Sequence, residues 1–135
     1  MIPNKLYKKI VESVPIVCVD VILEYRNSFI LVKRANEPLK GHWWVVGGRA
    51  LKGERTVQTA IRKVKEETGL KAYVVQRIGV YEDSYPKSAW GVPTSSVSIV
   101  YKAVVHDYSP KLDKTNSDIK LSKTLPKRFL SKLYA

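Results

Sequence analysis

Residues 47–70, GGRALKGERTVQTAIRKVKEETGL, govern how the rest of the sequence is interpreted. Gly47 and Gly48 begin this stretch, and adjacent glycines let a backbone bend sharply and approach a ligand closely. A helix is predicted after Glu54, because apolar side chains then recur at helical spacing along one face. The expected apolar face consists of Val57, Ala60, Ile61 and Val64. Gly69 is expected to end the helix.

The polar side of this predicted helix carries Arg62, Lys63 and Glu66, with Glu67 at its edge. Glu66 and Glu67 are adjacent carboxylates on a rigid mount that faces back toward the glycines. Mg²⁺ prefers oxygen ligands and binds through one or two carboxylates together with waters and substrate phosphates. The pair is therefore a candidate site for Mg²⁺, with Mn²⁺ as the alternative ion.

The whole stretch resembles the Nudix box, written G-x5-E-x7-R-E-U-x-E-E-x-G-U, in which U is an aliphatic residue. Eight of the nine fixed places are matched, by Gly48, Glu54, Arg62, Val64, Glu66, Glu67, Gly69 and Leu70. At the ninth place the family has a glutamate that often carries metal or orients the attacking water, and this chain has Lys63. The resemblance implies an α/β fold, an α/β/α sandwich around a mixed β-sheet.

A narrower resemblance, over residues 13–54, is to the GDP-mannose mannosyl hydrolase branch of the Nudix family. It is carried by Asp20, Lys33, Arg34, Trp43, Trp44 and the run Gly47, Gly48 and Arg49. The branch implies that Asp20 contacts the ligand and that Arg34 and Arg49 hold its diphosphate. It also implies that the Gly47 carbonyl and the Glu67 carboxylate bind one magnesium ion. The same branch lacks the box glutamate that Lys63 replaces.

The branch also has a catalytic histidine, in a loop that aligns with residues 115–117, and this chain has no histidine there. If water attacks phosphorus instead, Mg²⁺ must polarise the phosphate, and Glu66 is then the best available base. Glu66, Glu67 and Arg49 are the expected catalytic residues, with Glu66 also a metal ligand. Further candidate ligands on predicted loops are Asp83, Asp113 and Asp118.

Three other side chains each have two interpretations. Lys63 can pair with Glu67 and compete with Mg²⁺, or it can reach the cleft and bind substrate phosphate, and we favour the second. Arg62 is expected to pair with Glu66 or Glu54 rather than with substrate. Trp90, in an aromatic loop at residues 83–93, can stack on a nucleotide base or pack within the protein.

The remaining pattern predicts a mixed sheet with helices on both faces. A short helix is expected at residues 4–12, with Leu6, Tyr7 and Ile10 on its apolar stripe. The predicted strands are residues 14–25, 29–33, 43–46, 72–81 and 94–105. The tail is expected to hold a polar loop and then a terminal helix with Phe129, Leu130 and Leu133 inward.

Composition limits the class of protein. With 135 residues and 44% hydrophobic residues, we expect one globular domain over residues 1–135. The longest apolar run, residues 14–23, is too short to cross a bilayer, and no signal peptide is visible. The only cysteine, Cys18, is expected to be a core residue of a reduced, cytoplasmic protein.

The net charge of +12 suits a phosphate-bearing ligand, and it also suits nucleic acid or a merely solvated basic surface. The expected function is Mg²⁺-dependent hydrolysis of a nucleoside diphosphate derivative, a nucleotide sugar similar to GDP-mannose. The alternatives are a nucleotide- or RNA-binding module in which Lys63 replaces the metal, and a nucleic-acid hydrolase such as a decapping enzyme. A homodimer is suggested by the resemblance alone.

Overall fold

The computed structural model describes residues 1–133, with side chains described through Leu130. The elements, in chain order, are α1 (Asn4–Ser13), β1 (Ile16–Tyr25), β2 (Ser28–Arg34), β3 (Trp43–Trp44), β4 (Val46–Arg49), α2 (Thr56–Thr68), β5 (Tyr73–Tyr85), β6 (Thr94–Val104), β7 (Asn116–Ser122) and α3 (Lys127–Leu133). No helix among the described residues is long and apolar enough to cross a membrane.

All seven strands belong to one sheet, in the order β3-β2-β1-β6-β5, with β4 also paired to β1 and β7 to β2. The pair β1 and β6 is parallel, whereas the other pairs are antiparallel. The predicted α/β fold with a mixed sheet is therefore confirmed.

Two hydrophobic cores lie on opposite faces of the sheet, because consecutive residues of a strand point to opposite sides. Val21 of β1 belongs to the core that α2 covers through Ala60 and Val64. Ile22, the next residue, belongs to the core that α3 covers through Phe129. Helices thus cover both faces, as the sandwich prediction requires.

The helix α2 is rotated relative to the predicted apolar face. Ile61, expected to be inside, is 41% exposed, whereas Glu67, expected at the polar edge, is only 4% exposed. Ala60, Val64 and Glu67 are buried. They are spaced four and three residues apart, so they lie on one side of the helix. The predicted stop is correct, since Gly69 adopts a left-handed conformation with φ of 73°.

Other element predictions need smaller corrections. In α1 the buried residue is Val11, while Leu6 of the predicted stripe is exposed. The predicted strand at residues 43–46 is interrupted at Val45, so that β3 pairs with β2 and β4 with β1. The side chain of Leu133 lies outside the described residues, and so does its predicted inward position.

Residues 116–122 form strand β7, so the prediction of a polar loop there is wrong. Its sequence NSDIKLS has two apolar residues in seven, and it pairs only with β2. An edge strand of that kind carries little apolar alternation, so sequence pattern gives little sign of it. Strand β5 also runs to Tyr85, into the segment predicted as a loop.

Candidate active site

Arg62 joins the loop before α2 to the helix itself. Its Nε donates to Glu54 Oε2 at 2.8 Å and its Nη2 to Glu54 Oε1 at 3.0 Å, so the contact is two-pronged. Nη1 donates to Glu66 Oε1 at 3.1 Å, and Nη2 also reaches the Arg49 carbonyl at 3.0 Å. These hydrogen bonds from Arg62 lower the pKa of Glu54 to about 2. Arg62 is thus a structural arginine, as its spacing predicts.

The ammonium of Lys63 lies between the two candidate metal ligands. Its Nζ is 3.3 Å from Glu66 Oε2 and 3.3 Å from Glu67 Oε2. The side chain is 15% exposed and runs along Gly48, where an added Cβ would lie 2.4 Å from Lys63 Cε. Lys63 therefore packs against the glycine strand instead of extending into solvent, and Gly48 is the residue that leaves it room.

Glu67 is held from a strand that the sequence did not predict. Asn116, at the start of β7 and itself buried, donates from Nδ2 to Glu67 Oε1 at 2.6 Å. Burial raises the pKa of Glu67, while the Lys63 charge and the Asn116 hydrogen bond oppose that rise. Glu66 differs, since its side chain is 47% exposed, and contacts from Arg62 and Lys63 lower its pKa despite partial burial.

The donor set around α2 consists of two carboxylates and a neighbouring stretch of backbone. The described residues contain no cluster of three or more His, Cys, Asp or Glu side chains. Glu66 and Glu67 nevertheless converge on one cationic nitrogen, and the backbone of Gly48 lies directly beside it. Two carboxylates with an adjacent backbone are sufficient for an open Mg²⁺ site. The residues fit such an ion once the Lys63 ammonium moves away.

The three additional candidate ligands have other partners. Asp83 forms an ion pair with Arg128, and Asp118 accepts a hydrogen bond from its neighbour Ile119 N at 2.8 Å. Asp113 accepts from Thr115 N at 3.0 Å and lies close enough to act on the pKa of Glu67. Asp113 is therefore the candidate whose charge is shown to reach the carboxylate pair.

A cleft of about 690 Å³ lies on the other side of the glycine strand. Its lining includes five of the predicted site residues, namely Asp20, Arg34, Gly47, Arg49 and Trp90, whereas Lys63, Glu66 and Glu67 do not line it. Gly47 and Gly48 lie between the cleft and the cluster of Lys63, Glu66 and Glu67. A Cβ on Gly47 would lie 2.6 Å from Asp20 Oδ1, so Gly47 faces the cleft, while Gly48 faces Lys63.

The cationic side chains of the cleft are positioned by neighbouring loops and by α1. Arg34 donates from Nε to the Pro38 carbonyl at 2.6 Å. The Arg49 guanidinium lies 4.8 Å from the centre of the Tyr7 ring, and that ring packs on Trp90 at 4.6 Å. Trp90 is 37% exposed, so it packs within the protein and still presents a surface to the cleft.

Asp20 is one of the acidic residues that line the cleft, together with Glu37 and Asp83. Burial raises its pKa to about 6, although the Arg128 charge and a hydrogen bond from Ser98 act in the opposite direction. Burial likewise raises the pKa of the nearby Cys18 thiol to about 12, which keeps that thiol protonated at neutral pH. Neither histidine lines the cleft, since His42 contacts the Leu39 carbonyl and His106 packs on Tyr73.

Sequence reasoning missed Arg128, Asn116 and Ser98. Asn116 lies 49 residues from Glu67, and Arg128 lies 45 residues from its partner Asp83. Each is a common polar residue in a segment without a motif. Only the pairing of strands and the docking of α3 bring them to the site.

The NUDIX domain family model matches residues 14–123. The chain belongs to the Nudix family. This confirms the family predicted from residues 48–70, whose enzymes hydrolyse nucleoside diphosphate-linked compounds and typically use a divalent metal.

Two relatives share long stretches of sequence with this chain. The low-salt glycan biosynthesis protein Agl8 of Haloferax volcanii is 29% identical over 122 residues, which cover 89% of this chain and 78% of that protein. The ADP-ribose pyrophosphatase of Methanocaldococcus jannaschii is 43% identical over 67 residues, which cover 50% of this chain and 40% of that protein. The chain thus matches less than half the length of this second relative.

Solved Nudix structures share the fold. The MutT protein from Methanosarcina mazei Go1 has a TM-score of 0.72 at 20% identity, over 90% of this chain and 93% of that chain. At this level of identity the likeness supports the fold and says nothing further about the substrate.

Proposed function

We propose that this Nudix chain is a Mg²⁺-dependent hydrolase of a nucleoside diphosphate joined to a sugar, a substrate similar to GDP-mannose. The observation that carries the proposal is the meeting of Arg34, Arg49 and Asp20 in one cleft, directly across Gly47-Gly48 from two α2 carboxylates. Two guanidinium groups match the oxygens of a diphosphate, since each offers a planar fork of donors.

The metal would be held by Glu67, Glu66 and the Gly47 carbonyl, with Mn²⁺ as the alternative to Mg²⁺. When bound, the ion supplies charge that polarises a phosphoryl oxygen and lowers the pKa of water. Glu67 is the fixed ligand, because burial and Asn116 hold it in place. Glu66 is more exposed and has a lowered pKa, so it is ionised at neutral pH and can accept a proton from water.

In this proposal the cleft residues bind and orient. Arg49 lies against Tyr7 and Arg34 against Pro38, so both are held near one conformation before a diphosphate arrives. Such preorganisation supports catalysis because less ordering is needed in the transition state. We place the attack of water at phosphorus, since neither histidine of the chain lines the cleft.

A second candidate function is supported by Lys63. Its ammonium already lies 3.3 Å from both carboxylates, in the position where a metal would be shared. A chain that keeps this arrangement with ligand bound would be a nucleotide-binding module without hydrolysis. The two candidates differ in turnover alone.

The test is a panel of GDP-mannose, ADP-ribose and UDP-glucose, incubated with the protein in Mg²⁺, in Mn²⁺ and in EDTA. Metal-dependent release of product from any of them supports the hydrolase. Tight binding of a panel member by calorimetry, with no product in either metal, would establish the binding module instead. Neither binding nor product would contradict both candidates.

A further inference from the structure

Part of the cleft is formed by a row of polar side chains on three adjacent strands. Ser98 of β6 pairs with Cys18 of β1 on one side and with Tyr81 of β5 on the other. Asp20 is two residues after Cys18, and Asp83 is two residues after Tyr81. Side chains two apart on a strand point to the same face, so Asp20, Ser98 and Asp83 share one face. That face continues into the core under α3.

Arg128 reaches this row from α3 and is held firmly in place. The next residue, Phe129, is fully buried and packs edge-on against Trp44 and Tyr81, at ring distances of 5.3 and 5.7 Å. The Tyr81 hydroxyl donates to the Arg128 carbonyl at 2.5 Å, and the Arg128 guanidinium lies 4.2 Å over the Tyr81 ring. Both the backbone and the side chain of Arg128 are therefore fixed.

The contacts of Arg128 leave part of its donor capacity unused. Nη2 pairs with Asp83, and Nη1 donates to the Tyr85 hydroxyl at 3.3 Å. Its Nε is buried and has no hydrogen-bond partner among the described residues. Each Nη also carries a second N–H, and the Arg128 side chain is 17% exposed and lines the cleft, so a ligand acceptor can use these remaining donors.

Tyr7 of the aromatic pair and Asp20 of the row have different charged neighbours. The Arg49 charge acts on Tyr7, which packs against Trp90, whereas the Arg128, Asp83 and Arg34 charges act on Asp20. The cleft therefore has an aromatic pair beside Arg49 and an acidic group near Arg34 and Arg128. A nucleotide lying along the cleft would place its base at the aromatic pair and its sugar at the row.

The chemistry of the row suits hydroxyl groups better than phosphate. An ionised carboxylate only accepts and a guanidinium only donates, while a hydroxyl group does both. Two carboxylates beside one arginine leave no net positive charge to attract a second phosphate. A sugar with neighbouring hydroxyls can donate to Asp20 or Asp83 and accept from Arg128 at the same time.

We propose that Arg128, together with Asp83 and Asp20, recognises the hydroxyl groups of the sugar beyond the diphosphate and thereby sets substrate specificity. This inference rests on the proposed function, because it takes the diphosphate to lie at Arg34 and Arg49. It adds the residues that distinguish a nucleotide sugar from the bare nucleoside diphosphate. Arg128 binds in this account and has no role in the chemical step.

The test compares two probes, GDP-mannose and GDP, by calorimetry in EDTA, so that no turnover interferes. Arg128→Met should weaken binding of GDP-mannose about 10-fold or more, since hydrogen bonds to charged groups contribute about 1.5–3 kcal/mol, and leave GDP within about twofold. Lys127→Met, an exposed neighbour on α3, is the matched control and should change neither. ADP-ribose with ADP serves as a second pair of probes.

Arg128→Lys keeps the charge near Asp83 and guards against loss of folding in the methionine variant. It should still weaken binding of GDP-mannose more than binding of GDP, because an ammonium cannot present a planar fork. Equal weakening of both probes, or no change in either, would contradict the recognition role. The proposed function has its own test, and it fails together with this inference if wild type neither binds nor hydrolyses any member of the substrate panel in Mg²⁺ or Mn²⁺.

Discussion

Two clusters, each of one cation and two carboxylates, lie on opposite sides of Gly47-Gly48. In one, Lys63 lies between Glu66 and Glu67, and in the other Arg128 pairs with Asp83 and acts on Asp20. The first cluster is built within one helix turn, from residues three and four apart. The second needs β1, β5 and α3 to meet.

The cations differ as the two tasks require. Lysine is a compact charge on a flexible stem, so Lys63 can leave its carboxylates when a metal or a phosphate arrives. Arginine is a rigid fork, and Arg128 is fixed by Phe129 and Tyr81, so it suits recognition in a constant geometry. In our proposal the first cluster exchanges its lysine for a metal ion, and the second keeps its arginine.

The largest expected effect is on the carboxylate cluster. Glu67→Gln should lower Mg²⁺-stimulated turnover on the order of 10²-fold or more, in line with the loss of one electrostatic stabiliser, while shape is preserved. Initial rates in Mg²⁺ measure the effect. Because Glu67 is buried, the melting temperature of the variant must be shown to remain close to that of wild type. A folded variant with the wild-type rate would remove Glu67 from the site.

The next effect concerns the cleft. Arg49→Lys should raise KM roughly 10-fold although charge is kept, because the lysine loses the two-pronged contact and the packing on Tyr7. Steady-state kinetics on the best substrate of the panel measure it. Arg77→Lys, at an exposed position of β5, is the control. Identical kinetics for Arg49→Lys and wild type would make Arg49 a surface charge.

A smaller effect is expected on metal binding when the ammonium of Lys63 is removed. Two unit charges about 4 Å apart near a surface interact by roughly 4 kcal/mol before desolvation costs, so removing the ammonium should free the carboxylates for metal. Lys63→Met should bind Mn²⁺ several-fold more tightly in the absence of nucleotide, as measured by electron paramagnetic resonance.

The matched control for that experiment is Lys65→Met, which removes the same charge from the same helix. The ammonium of Lys65 contacts the Gly69 carbonyl at 3.2 Å instead of the carboxylate pair. In the structure Lys63 pairs with the carboxylates, the alternative to the phosphate role first favoured. If Lys63 also reaches phosphate when ligand binds, only Lys63→Met should lose affinity for GDP in EDTA. Equal behaviour of the two variants toward Mn²⁺ and GDP would make Lys63 a bystander.

The smallest effect is a pH dependence in the second cluster. The pKa of Asp20 is raised from 3.8 to about 6, so the folded protein binds this proton more tightly than the unfolded chain. Its contribution therefore favours folding at low pH and is lost as pH rises from about 4 through 6. Asp20→Asn should gain melting temperature relative to wild type over that interval. A difference that stays constant with pH would contradict the raised pKa.

The same contrast explains what the sequence could predict. The helix that carries Glu66 and Glu67 and its stop at Gly69 follow from local spacing, and Gly48 lies in the same motif with Gly47 directly before it. The inward turn of Glu67 could not be predicted, since it depends on Asn116 from a strand with little apolar pattern. The position of Arg128 in the cleft could not be predicted either, because it depends on how α3 docks on the sheet.

The most direct test of the account is hydrolysis in ¹⁸O-labelled water with Mg²⁺, followed by mass spectrometry of both products. If Glu66 activates water beside a diphosphate held by Arg34 and Arg49, the label should appear on a phosphate and be absent when EDTA replaces the metal. Label found on the sugar alone would contradict attack at phosphorus. Product formed equally in Mg²⁺ and EDTA would contradict the role of the two α2 carboxylates.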